Sequence, residues 1–202
     1  MKVGVLALQG AVREHIWALS RCGAEAVPVR VQEEIEQVDA LVLPGGESTT
    51  VGKHLVRLGL DTYLRRRIDQ GMPAFGTCTG LILLAKEIAG SDQPRIGVMD
   101  ISVCRNSFGR QIDSCETDIE ISALAPISAA TGDAENRPFP AVFIRAPHIS
   151  KVGPGVEVLA EFEGRIVLAR QGCCLAAAFH PEITDDDRIH RYFLETVCAG
   201  HS

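Results

Sequence analysis

The sequence predicts an α/β fold of three layers: helices on both faces of a largely parallel central sheet, with a mixed or antiparallel extension. Two observations predict it. Through the first ninety residues, short apolar runs alternate with segments of helical spacing, the pattern of successive βαβ units. Beyond them, short strand-like runs follow one another across short turns, which suits an extension of the sheet rather than more crossover helices. A third observation locates the chemistry. Three distinctive segments each follow an apolar strand, where open parallel sheets place their ligand sites.

The elements read in order. KVGVLAL is a first apolar strand, bounded by Gly10. AVREHIWALSRCG sets Val12, Ile16 and Leu19 on one helical face, and Gly23 is a stop. EAVPVRV is a second strand. DALVLPGG is a third, apolar enough to be buried on both faces. TTVGKHLVRLGLDTYLRRRIDQG is helical, with a break at Gly59. MPAFG is a fourth strand, and TGLILLAKEIAG the helix after it. RIGVMDISVCR, DIEISAL, AVFIRAP, VEVLAEFEG, RIVLARQG and CCLAAAFH are strands of the second half. APISAATGDAENRPFP is a surface loop. DDDRIHRYFLETVCAG closes the chain as a helix whose acidic first turn suits the helix dipole.

Composition narrows the function. The 202 residues suffice for one sizeable core. A net charge of −6 gives no nucleic-acid footprint, and Arg65 to Arg67 read as a solvated helix face. No apolar run approaches the roughly 20 residues that span a bilayer, and the N-terminus reads as a strand rather than a signal peptide. The seven cysteines are unevenly spaced and lack a CxxC pair, which fits a reduced, cytoplasmic setting. No cluster has metal-ligand spacing, so neither a metal nor another cofactor is expected.

Three constellations could carry chemistry. In Gly76-Thr77-Cys78-Thr79-Gly80, a strand meets a helix through a G-x-nucleophile-x-G turn. The glycines remove side chains that would clash, and the helix N-terminus favours a thiolate and an oxyanion. Against this stands a packed cysteine in a Gly-rich turn; the two readings are evenly matched on the motif alone. The second is His180-Pro181-Glu182. A nucleophilic cysteine needs a base, and the base an orienting group. Residues two apart in an extended segment share a side. Alone, His-Pro-Glu reads as a strand end before a capping run; beside the Cys elbow it reads as the rest of a triad. The third is LVLPGGESTT, where Gly45-Gly46 lets backbone approach a ligand and Ser48 serves as a plausible N-cap. It lacks the Walker spacing, and ALQGAVREH lacks that of a dinucleotide loop. His15, His54, His190 and His201 lie on helices or at the terminus, and His148 has no paired carboxylate.

The set GVLALQGAVREH, LPGGESTT, GTCTGLILLAKEIAG, RNSFGRQ, FIRAPHI and FHPE, in this order from about residue 3 to 195, closely resembles one family. It is the glutaminase subunit of pyridoxal 5′-phosphate synthase, a class I triad-type glutamine amidotransferase. The Cys elbow and the His-x-Glu pair mark triad amidotransferases in general; LQGAVREH and RNSFGRQ are narrower. The resemblance implies a flavodoxin-like glutaminase domain covering 1–202. It implies that Cys78 attacks the side-chain amide of L-glutamine, His180 moves the proton, Glu182 orients His180, and water releases glutamate from a thioester. It implies an oxyanion hole of Gly46 and Thr79 backbone N–H groups, and glutamine-binding positions Gly46, Glu47, Ser48, Arg105, Ile144 and Arg145. Either Arg105 or Arg145 could hold the substrate carboxylate. It implies a synthase subunit as partner, which takes the ammonia to build pyridoxal 5′-phosphate and, on docking, orders the oxyanion hole beside Gln9-Gly10. Neither nucleic acid nor membrane is an expected partner.

Two features depart from the family pattern: Thr79 stands where Ala is common, and the loop from about 125 to 140 is longer. Rival readings keep part of the argument. A Cys-dependent α/β hydrolase would have its acid before the histidine, whereas here it follows. A non-catalytic module would not need Cys78, His180 and Glu182 together. A triad glutaminase serving another ammonia-accepting synthase is separated only by the narrower segments.

Overall fold

The computed structural model describes residues 1–105, 114–132 and 135–201. Its centre is a row of four parallel strands: β1 (Lys2–Leu6), β3 (Ala40–Leu43), β4 (Ala74–Thr77) and β12 (Cys174–Ala177). Outside β1 lies β2 (Glu25–Val29), also parallel. Beyond β12 the sheet turns antiparallel through β11 (Arg165–Gln171), β9 (His148–Val152) and β6 (Met99–Cys104), and ends on β5 (Ala85–Ile88). A further strand, β10 (Glu157–Phe162), pairs with β11, so ten described strands share one sheet. A separate hairpin joins β7 (Ser114–Ile119) to β8 (Phe139–Ile144).

Strands β3, β4 and β12 are wholly buried and β1 is buried from Val3 to Leu6, as their apolar runs require. Helices cover them: α1 (Val12–Arg21), the short α2 (Gln32–Ile35), α3 (Ser48–Arg57), α4 (Leu60–Asp69), α5 (Thr79–Leu84), α6 (Ala125–Ala130) and α7 (Arg188–Tyr192). The break between α3 and α4 falls at Gly59, whose φ of 66° only glycine adopts freely. The last helix continues from α7 into π-type winding over Phe193–Cys198. The α/β layering with an antiparallel extension is therefore as expected.

Several elements differ from the sequence expectation. TGLILLAKEIAG is not one helix: Ala85 turns extended at ψ 138°, and 85–88 become β5, paired with β6 through Ala85–Met99 and Ile88–Val103. Pairing at the sheet edge outweighs helix propensity there. RAPHIS supplies an unexpected strand, β9. Part of the expected 125–140 loop is helical, with Pro126 at the start of α6, where a missing N–H costs nothing. DIEISAL contributes only its first residues to β7, because Ser122–Leu124 wind as a 3₁₀ turn. Ser48 is not the cap of α3. The Glu47 carboxylate is, accepting from the N–H groups of Thr49 at 3.0 Å and Thr50 at 2.8 Å. Ser48 is instead the first helical residue, buried and bonded to Gln93. Arg65 is only in part a solvated residue: its Nε donates to the Ile96 carbonyl at 2.6 Å. RNSFGRQ beyond Arg105 and the side chain of His201 lie outside the described residues. No described helix is long and apolar enough to cross a membrane.

Candidate active site

Strand order makes the site. Because β3, β4 and β12 are parallel neighbours, their C-terminal ends line up: Leu43 pairs with Gly76 and Ala177 with Thr77. The three segments picked out by sequence leave the sheet at these adjacent ends. Gly46 lies 32 residues before Cys78 and Cys78 lies 102 before His180, and hydrogen bonding within the sheet brings the three segments together.

Cys78 sits at the turn from β4 to α5 with φ 49° and ψ −99°, a left-handed conformation that a non-glycine residue adopts at a cost. The surroundings enforce it. The Cys78 N–H donates to the Ala177 carbonyl at 2.8 Å, and its own carbonyl accepts from Ile82. The flanking glycines permit the sharp bend: a Cβ on Gly76 would run into the Gly80 backbone, and one on Gly80 into the Leu43 carbonyl. Cys78 as a residue is 8% exposed.

His180 and Glu182 follow β12. His180 Nδ1 lies 2.8 Å from Glu182 Oε1, the ring interacts electrostatically with the neighbouring Cys78 thiol, and the thiol itself lies 4.0 Å from the Ile144 carbonyl. Gly45 packs on the imidazole, where any side chain at 45 would strike the ring. Burial alone would lower the His180 pKa. The interactions with Cys78 and Glu182 outweigh it and carry the imidazole up to about 10. Glu182, despite burial that would protonate it, is held below the usual carboxylate range by the neighbouring histidines. A thiol, a base and an orienting carboxylate thus stand in line, which is the arrangement of nucleophilic acyl transfer.

A cavity of about 160 Å³ opens over Cys78. Gly46, Glu47, Ser48, Thr79, Arg105, Ile144 and Arg145 all line it, with Ile82 and Pro147. Every candidate binding residue therefore faces the same space as the thiol. Thr79 is the first residue of α5, so its N–H has no helical acceptor. Arg105 reaches the cavity from the end of β6 and is anchored by Gln93 Oε1 at 2.6 Å. Arg145, at the end of β8, has φ 43°. His148 and His54 do not line this cavity.

Sequence reasoning missed a supporting group. His15 and His190 are fully buried beside the triad, with His15 3.0 Å from Thr77 Oγ1 and 3.5 Å from Glu182 Oε2. The signal was present: His15 lies three residues after Val12 and four before Leu19, on the buried face of α1. Gln93 and Pro147 were also not singled out as site neighbours, whereas Gln9, which the resemblance set beside the site, accepts from the Glu47 N–H at 3.2 Å.

The profile of the SNO glutamine amidotransferase family matches residues 5–199. The chain belongs to this family. Among its relatives, the "Pyridoxal 5'-phosphate synthase subunit PdxT" of Pelotomaculum thermopropionicum is 60% identical, covering 100% of this chain and 98% of the relative. The protein of the same description from Carboxydothermus hydrogenoformans is 54% identical over 99% and 100% of the two chains. A crystal structure described as a glutamine amidotransferase superposes with a TM-score of 0.88 at 50% identity, covering 98% of each chain. PurLQS from Thermotoga maritima, at 17% identity and a TM-score of 0.69 over 96% of this chain and 97% of that one, shares the fold. The elbow and cavity described above are thus those of a glutamine amidotransferase-family chain.

Proposed function

We propose that this chain is the glutaminase subunit of a pyridoxal 5′-phosphate synthase. It hydrolyses L-glutamine to glutamate and passes the ammonia to a synthase subunit. The name shared by its relatives supports the assignment, and those relatives align essentially from end to end. The observation that carries the chemistry is the strained Cys78 elbow beside the His180–Glu182 pair, at the floor of the cavity.

The steps follow from the geometry. Glutamine enters with its side-chain amide over Cys78. Its α-carboxylate meets the positive charge of Arg105 and Arg145 at the rim. His180 holds the proton opposite the sulfur as an imidazolium, and the sulfur attacks the amide carbon. The Glu182 carboxylate accepts from Nδ1–H and stabilises the imidazolium. The developing oxyanion is met by the N–H groups of Thr79, at the helix N-terminus, and Gly46. His180 then gives its proton to the leaving nitrogen, so ammonia departs and a glutamyl thioester remains on Cys78. Water, deprotonated by His180, releases glutamate. One domain spanning 1–202, acting in the cytoplasm and needing no cofactor, accommodates all of this.

The test is glutamine-dependent glutamate release, measured with and without a synthase subunit, for wild type and Cys78→Ala. The expected result is release by wild type that the synthase accelerates, and none by Cys78→Ala. Release without any gain from the synthase would favour a triad glutaminase serving another acceptor.

A further inference from the structure

Glu182 has two carboxylate oxygens, and the triad uses one. Oε1 accepts from His180 Nδ1 at 2.8 Å. Oε2 is buried and has no conventional hydrogen bond among the described residues. A buried anionic oxygen left so would be costly. What faces it is His15 Nε2, at 3.5 Å. The same nitrogen lies 3.0 Å from Thr77 Oγ1, on the residue just before the nucleophile. The other His15 nitrogen, Nδ1, lies 3.1 Å from His190 Nε2. Both rings are fully buried, and Phe75 packs edge-on against each.

The proton positions follow by elimination. One arrangement puts protons on both Nε2 atoms. His190 then donates to His15 Nδ1, and His15 directs its N–H between Thr77 and the Glu182 carboxylate. The His190 Nδ1 lone pair then has no partner among the described residues, and Glu182 Oε2 keeps the longer 3.5 Å contact to His15 Nε2. The opposite arrangement puts the proton on each Nδ1. That turns a His15 lone pair toward an anionic oxygen and leaves a buried N–H donor on His190 unsatisfied. The first costs one unused acceptor; the second costs an orphaned donor and a repulsion.

We infer that His190 and His15 form a buried relay of two neutral imidazoles that holds Glu182 from the side opposite His180, with His15 acting as a positioning residue for the triad. The inference rests on the glutaminase reading above. His15 touches both the orienting carboxylate and the strand end that carries Cys78, so it fixes the two halves of the triad relative to each other. The groups facing it are Glu182 and His180 after β12, His190 on α7 and Glu14 on its own helix; Arg21 acts on His190. For His15, burial prevails over the carboxylates and lowers its pKa. For His190, burial and His15 together bring it to about 3. Both rings therefore stay neutral at physiological pH.

Two measurements test this. In the full chain labelled with ¹⁵N-histidine, long-range ¹H–¹⁵N spectra report tautomers without any substitution. The expected result is that His15 and His190 are both neutral with the proton on Nε2 throughout about pH 6 to 8. A proton on Nδ1 of either ring, or titration of either in that range, overturns the relay. The second compares His15→Leu with His15→Gln, whose amide keeps a donor near Nε2, in the complex with the synthase. His15→Leu is expected to lower kcat about tenfold or more while KM for glutamine changes about twofold at most. The alkaline limb of its pH profile should move down, because a less well held Glu182 supports the His180 imidazolium less. His15→Gln should recover most of kcat and restore the limb. A folded His15→Leu with wild-type kcat and limb, or a folded His15→Gln no better than Leu, overturns the positioning role. If His15→Leu does not fold, the tautomer spectra decide. If wild type itself releases no glutamate, the glutaminase reading fails, and the spectra still decide the relay.

Discussion

The Thr79 hydroxyl donates to the Gly46 carbonyl at 2.6 Å, tying the residue after the nucleophile to the loop that roofs the cavity. The peptide that follows Gly46 is held at its other end too, since the Glu47 N–H donates to Gln9 Oε1 at 3.2 Å. An Ala here, the residue the sequence resemblance leads one to expect, would carry no hydroxyl to make this bond. One such bond contributes about 1 kcal/mol, a factor of about five in an equilibrium. Thr79→Ala should therefore lower kcat/KM about fivefold at most, and Thr79→Ser should recover it. Steady-state glutaminase kinetics check this. A loss of a thousandfold would mean that the hydroxyl takes part in the chemistry.

Glu47 has two roles at once, lining the cavity and capping α3. Its bonds to Thr50 and Thr49 hold its pKa down to about 2. A depressed carboxylate stabilises the fold above its ordinary value of about 4.3 and loses that contribution as pH falls toward the folded value. Glu47→Ala should cost about 0.5–1 kcal/mol near neutral pH, at the low end for a cap because the group is exposed. The gap between variant and wild type should close as pH falls to about 2. Urea midpoints across the pH series test both the size and the sign.

Arg105 is pre-positioned by Gln93, whose Oε1 also accepts from Thr49 Oγ1 at 3.3 Å and Ser48 Oγ at 3.4 Å. An anchored guanidinium loses less freedom on binding a carboxylate. Arg105→Met should raise KM for glutamine about tenfold or more with kcat little changed, the signature of lost ground-state binding. Gln93→Leu should reproduce part of that rise although residue 93 does not line the cavity. Full-range Michaelis curves separate the two parameters. An unchanged KM in Arg105→Met would transfer the carboxylate to Arg145.

Arg188 and Asp186 form a buried pair at 2.6 Å. The guanidinium also donates to the carbonyls of Arg137 at 2.7 Å and Pro138 at 3.1 Å, stitching the last helix to the β8 hairpin. Removing one member of such a pair strands the other charge in the interior. Asp186→Ala is expected to cost about 3–5 kcal/mol. Denaturant unfolding measures it, and a loss below about 1 kcal/mol would show that the pair is dispensable.

Local chemistry made much of this legible beforehand. ALVL reads as a buried strand because nothing polar interrupts it, MPAFG reads as a short strand after it, and the glycine-flanked cysteine gains its catalytic reading from the His-Pro-Glu downstream. His180 and Glu182 share a side because the segment is extended. What could not be read was set by distant pairing. Nothing local says that β12, near the end of the chain, inserts between β4 and β11, yet that placement alone puts His180 over Cys78. AKEI was read as helix because its propensity allows helix, and the partner that makes it a strand is β6. His15 was passed over because a histidine on a helix reads as polar, although its spacing from Val12 and Leu19 put it on the buried face.

The central claim is covalent chemistry at Cys78, and rapid-quench intact-mass analysis with glutamine, in the complex with the synthase, tests it most directly. The account expects a transient mass increase of one glutamyl group, mapping to the Cys78 peptide and absent from Cys78→Ala. Glutamate release that persists in Cys78→Ala, or an adduct on another residue, would contradict it.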